Sequence, residues 1–273
     1  MHPSAYHTPG FVDLHSHLVP GVDDGSASIE ESRASLACLY DEGVRHLVTT
    51  PHLLVPHLQD GRAIDRELAS HRRTFDLLAG ALDAEEGLPA LGLGQEIWAP
   101  DAAAMWRVAD RADIGLAGSR AILVEFGFEL RGRHTDVIDA AVAAGRQIVI
   151  AHPERYRYLD GDEPLDVMRR WRELGALLQV NAGSFSGHYR ASSPGSLELA
   201  WAMVEAGLVD IVATDHHGSR RAGVSPWEAY EVLRSRGEGA LADRVMAEAP
   251  AALLHHGALE RRDAALRTPS VDG

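Results

Sequence analysis

Short apolar runs alternate along the chain with longer stretches in which apolar residues recur every three or four positions. The short runs predict strands and the longer ones amphipathic helices. The strand candidates are FVDL at 11–14, HLVTT ending at Thr50, ALGLGQ ending at Gln95 and AILVE ending at Glu125, followed by QIVIA ending at Ala151, ALLQVN ending at Asn181 and DIVATD ending at Asp215. Helices are predicted over 28–42, 62–82, 134–144, 165–174 and 196–206. In the first of these Ser28 and Glu31 have the spacing of a capping box, Ile29, Leu36 and Leu39 share a face, and Gly43 closes the element. Alternating strand and helix implies a parallel sheet with right-handed crossovers. Seven such units closing on themselves give an α/β barrel of the TIM type, with an open doubly wound sheet as the runner-up.

Polar residues collect where the strands end. The first strand runs into DLHSH, which puts His15 and His17 on one face, two residues apart. The second ends in His52, the third in Glu96, the fourth in Glu125, the fifth in His152 and the seventh in Asp215 and His217. Six of the seven strands thus finish in His, Asp or Glu, and in an α/β barrel these ends meet at one mouth. Imidazole and carboxylate together suit Mn, Fe or Zn. Asp23 and Asp24 follow in GVDDG; Asp-Gly signals a turn, and the place just beyond the His pair makes one of the two a further ligand candidate.

Composition narrows the classes. A length of 273 residues fits one barrel or two small domains, and 45% hydrophobic residues suffice for a sizeable core. The formal charge of −14 argues against binding nucleic acid through phosphate contacts, and clustered carboxylates become favourable beside cations. No run approaches the ~18 apolar residues of a membrane span, and the first ten residues lack the features of a secretory signal. The reading is a cytoplasmic protein with no direct membrane insertion. All 26 basic residues are Arg, which excludes a Walker A loop, a Schiff-base lysine and a carbamylated-lysine metal bridge. The single cysteine, Cys38, allows no disulfide framework. A cysteine-based phosphatase needs Arg six residues after the thiolate; Val44 stands there, so Cys38 reads as a core residue of a helix. Residues 1–10 read as an extension, 11–259 as one barrel, and 260–273 as a fraying tail.

The segments HSHLVPGVDDG, TTPH, GQEI, LVEF, AHPER and TDHH occur in that order. Together they resemble the PHP (polymerase and histidinol phosphatase) superfamily and, more narrowly, the bacterial tyrosine-protein phosphatases of capsule and exopolysaccharide loci, the CpsB/YwqE family. The resemblance spans roughly residues 11–254 and implies a distorted (β/α)7 TIM-like barrel holding three divalent metal ions, Mn foremost, with Fe or Zn as alternatives. On this resemblance His15, His17, Glu96 and Asp215 would bind the first ion. Glu96 would bridge to a second held also by Glu125 and His152, and Asp24, His52 and His217 would hold the third. Arg155 in HPER matches the family's catalytic arginine, and Arg220 and Arg221 are both candidates for a second. Three departures bear on pocket shape: Leu53 where the family commonly has a second His, His216 in place of a small residue, and GFELRGRHT without proline-rich character.

The function so implied is hydrolysis of phosphotyrosine on a protein, with a tyrosine autokinase that controls polysaccharide export as the partner. The alternatives are a phosphatase of small esters such as histidinol phosphate, an amidohydrolase-like enzyme with Glu96 as its bridging carboxylate, and a catalytically silent module. Trp98, Trp106 and Tyr156 could line a pocket for an aromatic substrate, with core or lid as the plainer reading. His2, His7, His71, His134, His255 and His256 read as solvent-facing, while His57 and His188 fall on candidate mouth loops and are assigned no role.

Overall fold

The computed structural model describes residues 10–254, apart from 131, 133, 160, 222 and 223, and leaves out the side chains of 220 and 221. The chain opens with β1 (Phe11–Asp13), α1 (Ile29–Asp41), β2 (Val44–Thr49), β3 (His52–Leu54) and α2 (Gly61–Leu82). It continues through β4 (Ala90–Leu93), β5 (Glu96–Trp98), α3 (Ala102–Trp106), β6 (Ala121–Glu125), β7 (Glu129–Leu130) and α4 (His134–Ala143). Next come β8 (Gln147–Ala151), β9 (Arg157–Tyr158), α5 (Pro164–Glu173), β10 (Leu177–Asn181) and α6 (Ala182–Ser186). The described part closes with α7 (Ser196–Glu205), β11 (Ile211–Ala213), α8 (Pro226–Ser235) and α9 (Gly239–Asp243).

Every strand pair is parallel. β1 pairs with β2 and β2 with β4, while β3, β5, β6, β8, β10 and β11 pair in that order. β2 and β4 match the predicted strands that end at Thr50 and Gln95, and after a break at Thr50 and Pro51 or at Gly94 and Gln95 each continues as a short strand beyond the predicted end, β3 and β5. The ring closes between its first and last strands. Asp215 N donates to the His15 carbonyl at 2.9 Å and His17 N to the His216 carbonyl at 2.7 Å, beside a parallel bridge between Ser16 and His216. This is a distorted seven-stranded barrel rather than an open sheet.

Alternation along the strands sorts the core into two layers. Val12, Leu14, Val48, Leu123, Val149, Ala151 and Ile211 share one buried cluster. Their neighbours Phe11, Leu47, Ile122, Val124, Ile148, Ile150 and Val212 pack in a second cluster with helix residues such as Leu36, Leu39, Ile64 and Leu78. The layering matches a barrel whose interior is filled by side chains and whose outer face is covered by helices.

The predicted helices form within a residue or so of their expected bounds. Ser28 caps α1 by accepting from Glu31 N, but the Glu31 carboxylate accepts from Ala27 N rather than Ser28 N, so the box closes one residue early. α8 carries its own cap, Ser225 accepting from Glu228 N at 3.0 Å with Pro226 at the first helical position, a signal present in SPWE.

Three expectations fail. Cys38 is exposed: α1 buries Ser32, Ser35, Leu36 and Leu39, and position 38 falls on its flank. His71 is buried because it lies on the apolar stripe of α2, with its Nδ1 2.7 Å from Gln95 Oε1. His134 is half-buried, its ring edge-on to Trp171 at 5.1 Å. His2, His7, His255, His256 and the tail lie outside the described residues.

Closure depends on Asp13. Its buried carboxylate accepts from Thr214 N, Thr214 Oγ1 and His15 N at 3.1, 2.5 and 3.2 Å. Asp13→Ala would strand buried donors on both closing strands, at about 1–3 kcal/mol. Urea unfolding should show that loss as a lower midpoint with an unchanged slope; a midpoint equal to that of the parent would mean that the seam holds without it.

Candidate metal centre

The ends of β1, β6, β8 and β11 and the starts of β3 and β5, with the loop after β1, bring all nine sequence-predicted ligand candidates to one mouth. His15 and His17 follow β1, are both fully buried, and face each other Nε2 to Nε2 at 3.2 Å. Glu96, at the start of β5, lies at the centre. Its Oε1 is 3.0 Å from His152 Nε2 and 3.4 Å from His15 Nε2, and its Oε2 is 2.8 Å from His52 Nδ1 and 3.3 Å from His17 Nε2. Asp24 Oδ1 lies 3.3 Å from His52 Nε2 and 3.4 Å from His217 Nε2. Asp215 Oδ1 stands 3.4 Å from each of His15, His17 and His217.

Among the described residues three sets of donor atoms gather within 4.8 Å: His17, Asp24, His52 and His217; His15, His17 and Glu96; and His52, Glu96 and Glu125. These sets overlap with the three-ion grouping implied by resemblance without coinciding with it. His17 and His52 each fall in two of them, while His152 and Asp215 stand beside them. One contact tests whether the set suits a cation. His52 Nδ1 and Glu96 Oε2 are buried and 2.8 Å apart, yet neither has a hydrogen-bond partner. Two lone-pair atoms this close and misaligned for a hydrogen bond suit a shared cation better than each other.

Local chain geometry sets these side chains. Asp23 Oδ2 lies 2.7 Å from His17 Nδ1 and accepts from His52 N, while its Oδ1 accepts from Gly25 N. Asp23 therefore orients His17, and it is Asp24 that reaches the cluster. Gly25 is required by space, since a Cβ there would sit 2.0 Å from the His17 carbonyl oxygen. His152 (φ 35°) and Asp215 (φ 53°) adopt left-handed backbone, a strain of about 1–3 kcal/mol each of the kind found at functional sites.

The cluster floors a cleft of about 660 Å³. Leu54, Leu58, Trp98 and Phe128 supply apolar lining, and His57 packs edge-on to Trp98 at 5.1 Å. Trp106 is exposed and away from the cleft, Tyr156 is a core residue whose hydroxyl accepts from Phe126 N, and His188 packs against Tyr189. Arg155 is no surface residue: it is buried, lines the cleft, donates from Nη1 to Asp215 Oδ2 at 2.8 Å, and lies 4.1 Å from the Tyr189 ring and 4.9 Å from that of Phe128. The side chains of Arg220 and Arg221 lie outside the described residues.

The model of the capsular polysaccharide synthesis CpsB/CapC family matches residues 11–255. The chain belongs to this family. It is 31% identical over 229 residues to the tyrosine-protein phosphatase YwqE of Bacillus subtilis, covering 81% of this chain and 83% of that protein. It is 28% identical over 235 residues to the tyrosine-protein phosphatase CpsB of Streptococcus pneumoniae, covering 82% and 90%. The crystal structures of YwqE and CpsB, described as unique metal-dependent tyrosine phosphatases, include a chain that superposes with a TM-score of 0.74 at 26% identity, over 90% of this chain and 94% of that one. A lactonase from Listeria monocytogenes shares the fold at a TM-score of 0.51 and 14% identity.

The sixth predicted strand of this CpsB/CapC chain, ALLQVN, ends in no ionisable side chain and so offered no ligand candidate. Gln179 and Asn181 on β10 are nonetheless fully buried beside the cluster and bonded to His15 and Asp215. Glu154 was also missed; buried in the HPER turn, it accepts from Asn181 N and Ser184 Oγ. A strand end with two amides on one face was the available signal.

Charge in the cluster is divided sharply. For His52, burial disfavours the cation, but the Glu96 carboxylate, with Asp24, overcomes it and lifts the imidazole to about 10. His15 and His17 shift in the same direction against the same burial, His15 drawn up chiefly by Glu96 and Asp215 and His17 chiefly by Asp215 and Asp23. Burial raises Glu125 to about 7, with repulsion from Glu96 adding to it. Metal ligation needs neutral imidazoles and ionised carboxylates, so loading must expel these protons. Adding Mn²⁺ to metal-free protein in weak buffer at pH 7 should acidify the solution, and affinity should rise from pH 6 to 9. The His shifts are upward, so the stability they give the metal-free protein is full below the unfolded value of about 6.5 and, for His52, is lost as pH rises through about 10. A calorimetric titration with no proton release would contradict this charge state.

Proposed function

We propose that this chain is a metal-dependent protein-tyrosine phosphatase acting in capsular or exopolysaccharide synthesis, with an autophosphorylated tyrosine kinase as its protein substrate. The observation that carries this reading is the buried His, Asp and Glu cluster flooring a cleft whose walls include Trp98 and Phe128 and whose base includes Arg155. Family membership supports the pathway, and the curated relatives and crystal structures are named as tyrosine phosphatases. Among the described residues no helix is long and apolar enough to cross a membrane, which accords with a cytoplasmic site of action. We assign residues 11–259 to the catalytic barrel, of which 255–259 lie outside the described residues.

The proposed ligand assignment places His15, His17, Glu96 and Asp215 at one ion, Glu96 with Glu125 and His152 at a second, and Asp24, His52 and His217 at a third. Mn²⁺ is the leading candidate, with Fe or Zn compatible with the donor set. Such ions, when bound, supply an activated water and a clamp on the phosphoryl oxygens. The chain's own groups do the rest. Glu96, the carboxylate shared between donor sets, would offset cation repulsion, and Asp23 fixes the His17 ring. The apolar wall at Trp98 and Phe128 takes an aromatic leaving group and excludes water. Arg155 meets negative charge on the phosphoryl group or on the departing phenolate.

Phosphate release from a phosphotyrosine peptide, compared with histidinol phosphate, tests the function. Turnover of the peptide should dominate, vanish with a chelator and return with Mn²⁺, with a titration end point approaching three ions per chain. Cys38→Ser should leave it nearly intact, because the thiol sits on the outer flank of α1. Preference for histidinol phosphate would move the substrate to small esters, and an end point of one ion would rule out three sites.

Arg155→Ala should lower kcat on the peptide by roughly 10²–10³, the magnitude for loss of one transition-state charge donor. Arg155→Lys should recover only part, lacking the planar fork. Arg155 also holds Asp215, so metal content must be measured alongside. A kcat within a few-fold of the parent at full metal occupancy would remove Arg155 from the chemistry.

A further inference from the structure

β10 is the barrel strand that brings neutral amides, not ionisable groups, to the mouth. Gln179 and Asn181 project to one face, two residues apart, and both are fully buried. They form an unbroken line between two ligand candidates. His15 Nδ1 is 2.9 Å from Gln179 Oε1, Gln179 Nε2 donates to Asn181 Oδ1 at 2.7 Å, and Asn181 Nδ2 donates to Asp215 Oδ2 at 2.9 Å. The strand end is pinned as well, because Asn181 N donates to Glu154 Oε1 at 3.0 Å.

The line has a direction. An amide has one donor end and one acceptor end. An ionised Asp215 can only accept, and Arg155 already donates to the same Oδ2. Asn181 must therefore turn its NH₂ to Asp215, which leaves its oxygen toward Gln179. Gln179 must answer with its own NH₂, which leaves Oε1 toward His15. His15 must then carry its proton on Nδ1. Its Nε2 is the nitrogen 3.4 Å from both Glu96 Oε1 and Asp215 Oδ1. The same line holds Oδ2 of Asp215 and leaves Oδ1 facing the imidazoles.

Two other rings are fixed differently. His17 Nδ1 is held by the Asp23 carboxylate at 2.7 Å, and His217 Nδ1 by the Asp215 backbone carbonyl at 2.8 Å. A neutral relay orients His15 without adding another negative charge to a crowded set of carboxylates.

We propose that Gln179 and Asn181 are positioning residues: read outward from Asp215, they lock His15 as the Nδ1–H tautomer and present its Nε2, with Asp215 Oδ1, to one metal ion. The inference rests on the metal reading above. Lost outer partners of a ligating imidazole typically cost 10–100-fold in metal affinity.

The test is calorimetric titration of the metal-free full chain with Mn²⁺, with long-range ¹H–¹⁵N NMR of the imidazoles in Zn²⁺-loaded protein. Gln179→Met should weaken one class of site by about 10–100-fold, leave the others within about three-fold, and lose the fixed Nδ1–H signature of His15. Gln179→Glu keeps an acceptor for Nδ1–H and should hold that site within about ten-fold of the parent. Where Gln179→Met does not fold, Gln179→Asn retains a buried amide but is too short to reach His15, and the same weakening is expected. Parent-like affinity at every site with His15 still Nδ1–H in the Met or Asn variant would overturn the relay. A parent chain that binds neither ion would instead overturn the metal reading on which it stands.

Discussion

Glu96 is almost completely buried, and four imidazoles from three different strand ends crowd its two oxygens. An ionised carboxylate out of water is unfavourable unless charge and hydrogen bonds surround it. Here burial alone would raise Glu96, and His15 and His52 pull it well below the ordinary carboxylate range. The compensation works only if β1, β3 and β8 arrive in register around β5. The barrel and the cluster are thus one constraint, since a strand shifted by one residue would turn its histidine outward. The break at Gly94 and Gln95 serves the same end, letting the chain resume as β5 with Glu96 facing inward. Gln95 is tied outward to His71 on α2.

Closure carries strain as well as charge. His152 and Asp215 leave β8 and β11 in left-handed conformations, which chain propensity disfavours for both residues. Asp215 is held there by its own N–H on the His15 carbonyl, by Arg155 and by Asn181. The seam through Asp13 and Thr214 lies directly beneath. Fold stability is thereby spent on aiming donor atoms, as expected where a site breaks local rules.

Much of this was legible in the sequence because strand ends are where periodicity and chemistry meet. The alternation of apolar runs located each barrel strand, and polar residues at their ends marked the mouth. Two kinds of feature stayed hidden. Helix faces near their edges were misjudged: Cys38 differs from buried Leu39 by one position, and His71 is polar in type but lies on the apolar stripe of α2. Neutral partners also went unread. Gln179 and Asn181 bear no charge, and their role follows only from the donor and acceptor ends that folding brings together.

Arg155 shows why the mouth needs a guanidinium. It lies against Tyr189 and Phe128, with one Nη on Asp215 and its Nε buried without a hydrogen-bond partner. A flat, delocalised cation tolerates aromatic neighbours and partial desolvation, and it can bond a carboxylate with one nitrogen while offering others elsewhere. An ammonium in that slot would be a compact, strongly hydrated point charge that gains little from the rings. The same pairing sets a limit on rearrangement. The contact that draws Arg155 into the mouth also holds Oδ2 of Asp215, so a phosphoryl group recruiting the arginine strongly enough to break that contact would release a carboxylate facing the metals. The second donor on Oδ2 is the Asn181 amide, so on the proposed role of Arg155 Asp215 would keep a partner if the guanidinium turned toward substrate.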